Sequence, residues 1–145
     1  MFDALLRRLT APAPTRLPEP DARLALAALL VRLARSDGVY SADEVTRIDR
    51  VLVNRHGLSP FEAARLRTEA ERLEELAPDT VRFTRAIKEV TAPADRAALL
   101  EAMWSIALAD GVRDPSEDRL MRLVTNLLGL TDVESALARQ RVQRE

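Results

Sequence analysis

One pattern occurs twice in this chain of 145 residues: an apolar stretch, an Asp-Gly pair, and a charged amphipathic stretch. The first copy covers residues 26–44 with Asp37-Gly38 inside it, and the second covers residues 99–117 with Asp110-Gly111. A glycine that follows the last apolar residue is typical of a helix that ends abruptly. A long period that occurs only twice predicts two duplicated halves packed against each other, and not an open array of repeats.

Each copy predicts the same succession of helices. Residues 24–31 are apolar on every side of a helix, as expected for an element that other elements surround. No stretch alternates with a period of two for more than a few residues, so the sequence predicts an all-α fold with two apolar central helices and cover helices around them. Three helix starts carry the capping-box pattern: Ser41 with Glu44, Ser59 with Glu62, and Thr131 with Glu134.

The outer helices are assigned from weaker patterns. One should begin near Pro78 and turn Val81, Ile87 and Val90 inward, and another should bury Leu120, Val124 and Leu127. The helix after Ser59 carries the ion-pair spacings Arg65–Glu69 and Arg67–Glu71 on its solvent side. The last helix is expected to fray into Arg139, Arg141 and Arg144.

The chain divides into a short N-terminal segment, residues 1–20, and a helical domain, residues 21–145. Within the segment, Phe2, Leu5, Leu6 and Leu9 have the spacing of a short amphipathic helix, and four prolines then predict a stiff, extended connector up to Pro20. The apolar stripe can fold back onto the domain or lie on a membrane surface next to Arg7 and Arg8. The sequence leaves both alternatives open.

Composition excludes several kinds of function. Lys plus Arg (22) nearly balances Asp plus Glu (23), and the arginines are spread without an aromatic face, so no nucleic-acid partner is expected. There is no cysteine and His56 is the only histidine, which leaves a zinc or hydrolase site without ligands or a base. The longest apolar run, residues 24–31, is too short for stable membrane insertion, and no secretory signal is evident. A cytoplasmic protein is expected.

The aspartates of the two turns need an explanation. Gly38 and Gly111 suit a residue with positive φ after a helix, but Asp37 and Asp110 face the negative end of a helix dipole, at a cost of roughly 0.3–1 kcal/mol. Either each aspartate accepts amide hydrogens from the turn, or a cation binds there with help from neighbouring carboxylates. The position of Glu44, six residues after Gly38, matches a helix–loop–helix calcium loop. Two earlier ligand positions of such a loop are not acidic in either copy, so it is not an EF-hand: Leu33, Arg35, Ile106 and Leu108.

Two apolar helices that end in Ser-Asp-Gly or Ala-Asp-Gly, each with a glutamate six residues after the glycine, resemble the tellurite-resistance protein B (TerB-like) family. The resemblance covers about residues 21–137, and it implies a single compact bundle of about seven helices in a cytoplasmic protein linked to stress and tellurium-anion resistance. Acidic residues around the turns of that family have been proposed to bind metal ions. Tyr40, Ser41 and Arg113 make these loops less acidic than those of other members. The candidate divalent-cation ligands implied here are Asp37, Asp43, Glu44, Asp110, Asp114 and Glu117.

Three hypotheses of function follow. The first is a non-catalytic stress-response module that binds a protein partner, and also a divalent cation, through its two Asp-Gly turns. The second is a pure helical interaction domain without metal, because TerB-like bundles also resemble a domain of some J-domain co-chaperones. The third, disfavoured because no nucleophile or cofactor loop supports it, is an acid–base enzyme that uses paired carboxylates such as Asp37 and Glu44. No bound cofactor other than a cation is expected, and homo-oligomerisation is left open.

Overall fold

The computed structural model describes residues 19–36, 38–77, 80–90, 96–108 and 115–144, and these form seven α-helices and no strand. This confirms the all-α bundle, while most of the predicted N-terminal segment lies outside the described residues. None of the described helices is long and apolar enough to cross a membrane. The helices are α1 (Glu19–Arg35), α2 (Ala42–His56), α3 (Pro60–Leu76), α4 (Thr80–Val90), α5 (Arg96–Ala107), α6 (Pro115–Leu127) and α7 (Asp132–Gln143).

Helix α1 is the centre of the bundle. Every residue from 24 to 31 is buried, because α1 contacts each of the helices α2 to α6. The all-round apolar pattern therefore predicted the surroundings of this helix correctly. The sequence predicted an extended connector up to Pro20, but α1 already begins at Glu19 and includes Pro20. A proline is tolerated in the first helical turn, where the backbone N–H would have no partner within the helix.

Helix α5 is the second central helix, and it packs against α1. The two halves are built alike: α1 makes its most extensive contacts with α3, and α5 makes its own with α7, which occupies the corresponding place in the second half. The predicted pair of apolar helices packed face to face with cover helices around them is confirmed. The buried residues of α5 are Leu99, Leu100, Met103, Trp104, Ile106 and Ala107.

The three capping boxes predicted at Ser41, Ser59 and Thr131 are present, whereas the side chains of the same capping pattern in the sequence at Asp114 and Glu117 lie outside the described residues. In each of the three boxes the hydroxyl accepts a hydrogen bond from the backbone N–H of the glutamate at 3.1 Å, and the carboxylate accepts one from the N–H of the capping residue at 3.0–3.1 Å. Gly57 and Gly129 end α2 and α6 with φ values of 64° and 78°. Local chemistry therefore sets these boundaries at equivalent points of the two halves.

In two outer helices the predicted buried face is only partly right: Ile87 and Val124 are buried as predicted, and the side chain of Val90 lies outside the described residues. In α4 the fully buried aromatic residue is Phe83, with Ile87 beside it, whereas Val81 is only partly buried. In α6 the predicted Leu120 and Leu127 are only partly buried, because they lie on the flanks of the buried face. The residues that are buried instead each follow the predicted one by one position. A short helix with apolar residues on two adjacent faces does not by its spacing decide which face is inside. The buried apolar residues of α6 and the turn after it are Met121, Val124 and Leu128.

Candidate functional site

The first Asp-Gly turn joins α1 to α2. The N–H groups of Ser36 and Gly38 donate to the carbonyl oxygens of Leu33 and Arg35 at 3.2 and 3.0 Å, and Gly38 has a φ of 84°. A Cβ at Gly38 would meet no atom within 4 Å, so it is backbone conformation and not space that favours glycine here. The sharp helix end predicted for this glycine is confirmed, whereas Asp37 lies outside the described residues.

Glu44 is a buried carboxylate at the start of α2. Its side chain is only 1% exposed, and its Oε1 atom accepts hydrogen bonds from both the N–H and the hydroxyl of Ser41, each at 3.0 Å. This oxygen therefore completes the capping box. A cation at this position would have to compete with two existing donors for it.

Asp43, the other candidate ligand with a described side chain, has cationic neighbours. It is exposed and lines a shallow cleft of about 240 Å³ together with Thr46, Arg47 and Arg50. Two guanidinium groups beside a carboxylate disfavour a divalent cation by charge repulsion. Asp43 is therefore exposed beside two arginines, whereas Glu44, the next residue in the sequence, is buried and hydrogen-bonded to Ser41.

The remaining four candidate ligands are not placed by the structure. Asp37, Asp110 and Asp114 lie outside the described residues, and so does the side chain of Glu117, although its backbone belongs to α6. Among the His, Asp and Glu side chains that are described, no group of three could hold a metal ion. Metal binding at the two turns stays a prediction.

Tyr40 fixes the far side of the first turn, a role that the sequence analysis missed. The guanidinium of Arg35, at the end of α1, lies 5.0 Å above the centre of the Tyr40 ring, which is a cation–π contact. The hydroxyl of Tyr40 is buried and has no hydrogen-bond partner of good geometry among the described residues. Burial, together with the nearby Glu71 carboxylate, raises the pKa of Tyr40 well above its usual range, so the phenol stays neutral.

Behind Tyr40, Arg67 of α3 connects the first two helices after the turn. Its Nε atom donates to Asp49 Oδ1 of α2 at 2.6 Å, and one terminal nitrogen donates to Glu71 Oε2 at 3.0 Å. The predicted Arg67–Glu71 pair is therefore present, but both side chains are mostly buried and not on the solvent side. The Arg65–Glu69 pair expected from the same spacing does not form within this described helix.

We expect Tyr40→Phe to leave the free energy of unfolding unchanged or to raise it by up to about 1 kcal/mol, because it removes a buried hydroxyl that has no partner. Tyr40→Ala, which also removes the ring under Arg35, should lower it by about 1–2 kcal/mol. Urea unfolding of the two variants measures both effects. A loss of 1 kcal/mol or more in Tyr40→Phe would mean instead that the hydroxyl is bonded to Glu71 in solution.

The described serine hydroxyls are all engaged in structural hydrogen bonds. Ser36 and Ser105 donate to carbonyl oxygens of their own helices, at 2.7 and 2.6 Å. Ser41 and Ser59 cap helices, and Ser135 accepts from the indole of a tryptophan. Only the Ser41 hydroxyl contacts a base, the Glu44 carboxylate, and that contact belongs to the capping box at the start of α2.

In the second half of the chain, one tryptophan with two polar partners lies between α5 and α7. Trp104 is 6% exposed, and its Nε1 atom donates to Ser135 Oγ at 3.1 Å. The guanidinium of Arg139 lies 5.5 Å above the centre of the indole ring, so Arg139 belongs to an ordered helix and not to a frayed end. Sequence spacing does not indicate the two partners of Trp104, because neither is close to it in the chain.

Comparison with known proteins supports one family. The family model described as tellurite resistance protein TerB matches residues 23–140, which is most of the chain. No curated protein and no solved structure matches it. The matched range includes both central helices, both predicted Asp-Gly turns and the three capping boxes at Ser41, Ser59 and Thr131. The seven-helix fold and this match together show that the chain belongs to the TerB family.

Proposed function

We propose that this chain is a non-catalytic stress-response module of the tellurite-resistance type, which acts by binding a protein partner through its two Asp-Gly turns. One observation carries the proposal: Val39, at the first turn, is an apolar side chain that is 62% exposed. The backbone on either side of it is held by the end of α1, by Tyr40 and by the Ser41–Glu44 capping box. Docking on a turn that is already ordered has a low entropic cost, which favours protein contact.

The chemistry of the described side chains supports a binding role over a catalytic one. The serine hydroxyls are hydrogen-bonded within the fold, and the Glu44 carboxylate is buried in its cap. Asp43 lies among arginines, so it is not paired with a second carboxylate for acid–base work. The second hypothesis, a helical interaction domain without metal that is similar to a co-chaperone adaptor, is therefore compatible with this proposal, because both act by binding a protein partner.

A photo-crosslinking residue at position 39 tests the protein-binding role. In extract of the native cell, we expect Val39 replaced in this way to give a discrete crosslinked species. The matched control is the same replacement at Val133, an equally exposed valine (69%) in the first turn of α7. Discrete products at both positions, or at neither, would contradict a binding role for the first turn.

A divalent cation at the turns is the second candidate, and it is supported by the Gly-to-Glu spacing that occurs in both copies. Calorimetric titration with calcium, magnesium and zinc distinguishes it from a purely protein-binding turn. If a cation binds, we expect heat and a higher melting temperature for the wild type, and neither for Asp37→Ala/Asp110→Ala. The control Glu69→Ala/Asp132→Ala removes two exposed carboxylates elsewhere and should behave as the wild type. Absence of heat in the wild type would reject the cation and leave the protein-binding role intact.

A further inference from the structure

A cleft of about 360 Å³ lies between α2, α5 and the end of α7. Arg47, Arg50 and Arg55 of α2 line one side. The smaller cleft beside Asp43 is adjacent to this one, and Arg47 and Arg50 line both. We refer to the two clefts together as the arginine groove. Its other side is formed by Glu101, Ala102 and Ser105 of α5 and by Val142 of α7.

The described residues that line the arginine groove include three arginines and two carboxylates, so the groove has an excess of positive charge although the chain as a whole has a formal charge of −1. Its Glu101 carboxylate is already neutralised by Arg141, whose Nε atom lies 2.5 Å from Glu101 Oε1. The ion pairs found among the described residues include none with Arg47, Arg50 or Arg55. Three guanidinium groups therefore share the groove with a single unpaired carboxylate, that of Asp43 at its end.

The arginines of the groove differ from those that stabilise the fold. Arg32, Arg35 and Arg67 bind carbonyl or carboxylate oxygens of α2 or α3. Arg47 and Arg50, in contrast, are three positions apart on one face of α2 and have no such partners in the described chain. The opposite face of α2 is fixed in the core, so these two guanidinium groups project from a rigid support.

The lining of the groove indicates what it can bind. A guanidinium group presents parallel N–H donors that match a carboxylate, and Val51, Ala102 and Val142 provide apolar surface for the methylene groups of a side chain. Among the described residues that line the groove there is no aromatic side chain on which a nucleic-acid base could stack. We infer that the arginine groove binds an acidic segment of a protein partner, with carboxylates accepting hydrogen bonds from Arg47 and Arg50. Val39 lines neither of the two clefts, so the inference can fail while the proposed function holds, and the reverse is also true.

Fluorescence anisotropy with a labelled decaglutamate peptide tests the inference on the full chain. We expect saturable binding to the wild type that weakens as salt is added. The variant Arg47→Gln/Arg50→Gln/Arg55→Gln should raise the Kd about tenfold or more, because three charge-assisted contacts are removed. The control Arg65→Gln/Arg85→Gln/Arg119→Gln removes the same charge from exposed positions on α3, α4 and α6 and should change the Kd by no more than about twofold.

Three results would overturn the inference. The first is absence of saturable binding to the wild type, and the second is an equal loss of affinity in both triple variants, which would indicate attraction by overall charge only. The third is displacement of the peptide by an oligothymidine of equal charge at equal or lower concentration, which would assign the groove to anions of any kind. All substituted arginines are at least partly exposed, so circular dichroism should show both variants folded like the wild type.

Discussion

Trp104→Ala should lower the free energy of unfolding by about 3–5 kcal/mol, the range typical of removing a large aromatic side chain from a core. The indole is almost fully buried on α5, and its loss would leave a cavity between α5 and α7. Two further contacts disappear with it, the hydrogen bond to Ser135 and the cation–π contact with Arg139. Ser135 would lose the donor that its hydroxyl accepts from in the wild type.

Urea unfolding followed by far-UV circular dichroism measures this effect, because Trp104 is the only tryptophan and the variant has no indole fluorescence to follow. Phe61→Ala is the matched control, since Phe61 is 75% exposed, and its loss should change stability by less than about 0.5 kcal/mol. Trp104→Phe keeps an aromatic ring for Arg139 but removes the N–H donor, and it should fall between the two. A loss below about 1 kcal/mol in Trp104→Ala would mean that the contact of α5 with α7 does not depend on the indole.

The elements that the sequence predicted well are those set by local chemistry. A capping box needs two residues three positions apart, and an apolar run such as residues 24–31 is buried in whichever direction the helix faces. The end of α1 shortly before Gly38 and the start of α2 after its cap Ser41 could therefore be placed from the sequence alone. The rotation of α4 about its axis could not, because its apolar residues allowed more than one inward face and Phe83 was not among the markers.

The candidate site was predicted only as far as its contacts are local. The capping role of Glu44 follows from Ser41, but its burial depends on the packing of other helices over the turn. Tyr40 was treated as a residue that dilutes negative charge, whereas its ring lies under Arg35. The bonds of Arg67 to Asp49 and of Trp104 to Ser135 join residues 18 and 31 positions apart, and no sequence spacing identifies such pairs. The one sequence signal for the role of Tyr40 was the presence of an aromatic residue directly after the Asp-Gly turn.

Arg67→Ala should lower the free energy of unfolding by about 2–3 kcal/mol, more than an exposed ion pair contributes and less than a fully buried one. The reason is that Asp49 and Glu71 would be left as two carboxylates without their shared cation, in positions that are only partly open to water. Burial lowers the pKa of Arg67, but Asp49 and Glu71 together raise it by more, because they stabilise the charged guanidinium. Arg67→Lys should recover only part of the loss, because an ammonium group is a single point of charge and cannot reproduce the two-sided geometry of the guanidinium.

Arg65→Ala is the matched control for this variant, since Arg65 is exposed on the same helix and forms no ion pair there. It should cost less than about 0.5 kcal/mol. A double-mutant cycle with Asp49→Ala then isolates the bond between α2 and α3, and we expect a coupling energy of about 1–2 kcal/mol. Because Arg67 also lies near Tyr40, its removal should loosen the first turn, and hydrogen exchange of the bonded amides of Gly38 and Glu44 should accelerate in Arg67→Ala but not in Arg65→Ala. Equal stability and equal exchange in the two variants would show that the turn is held by α1 and its capping box alone.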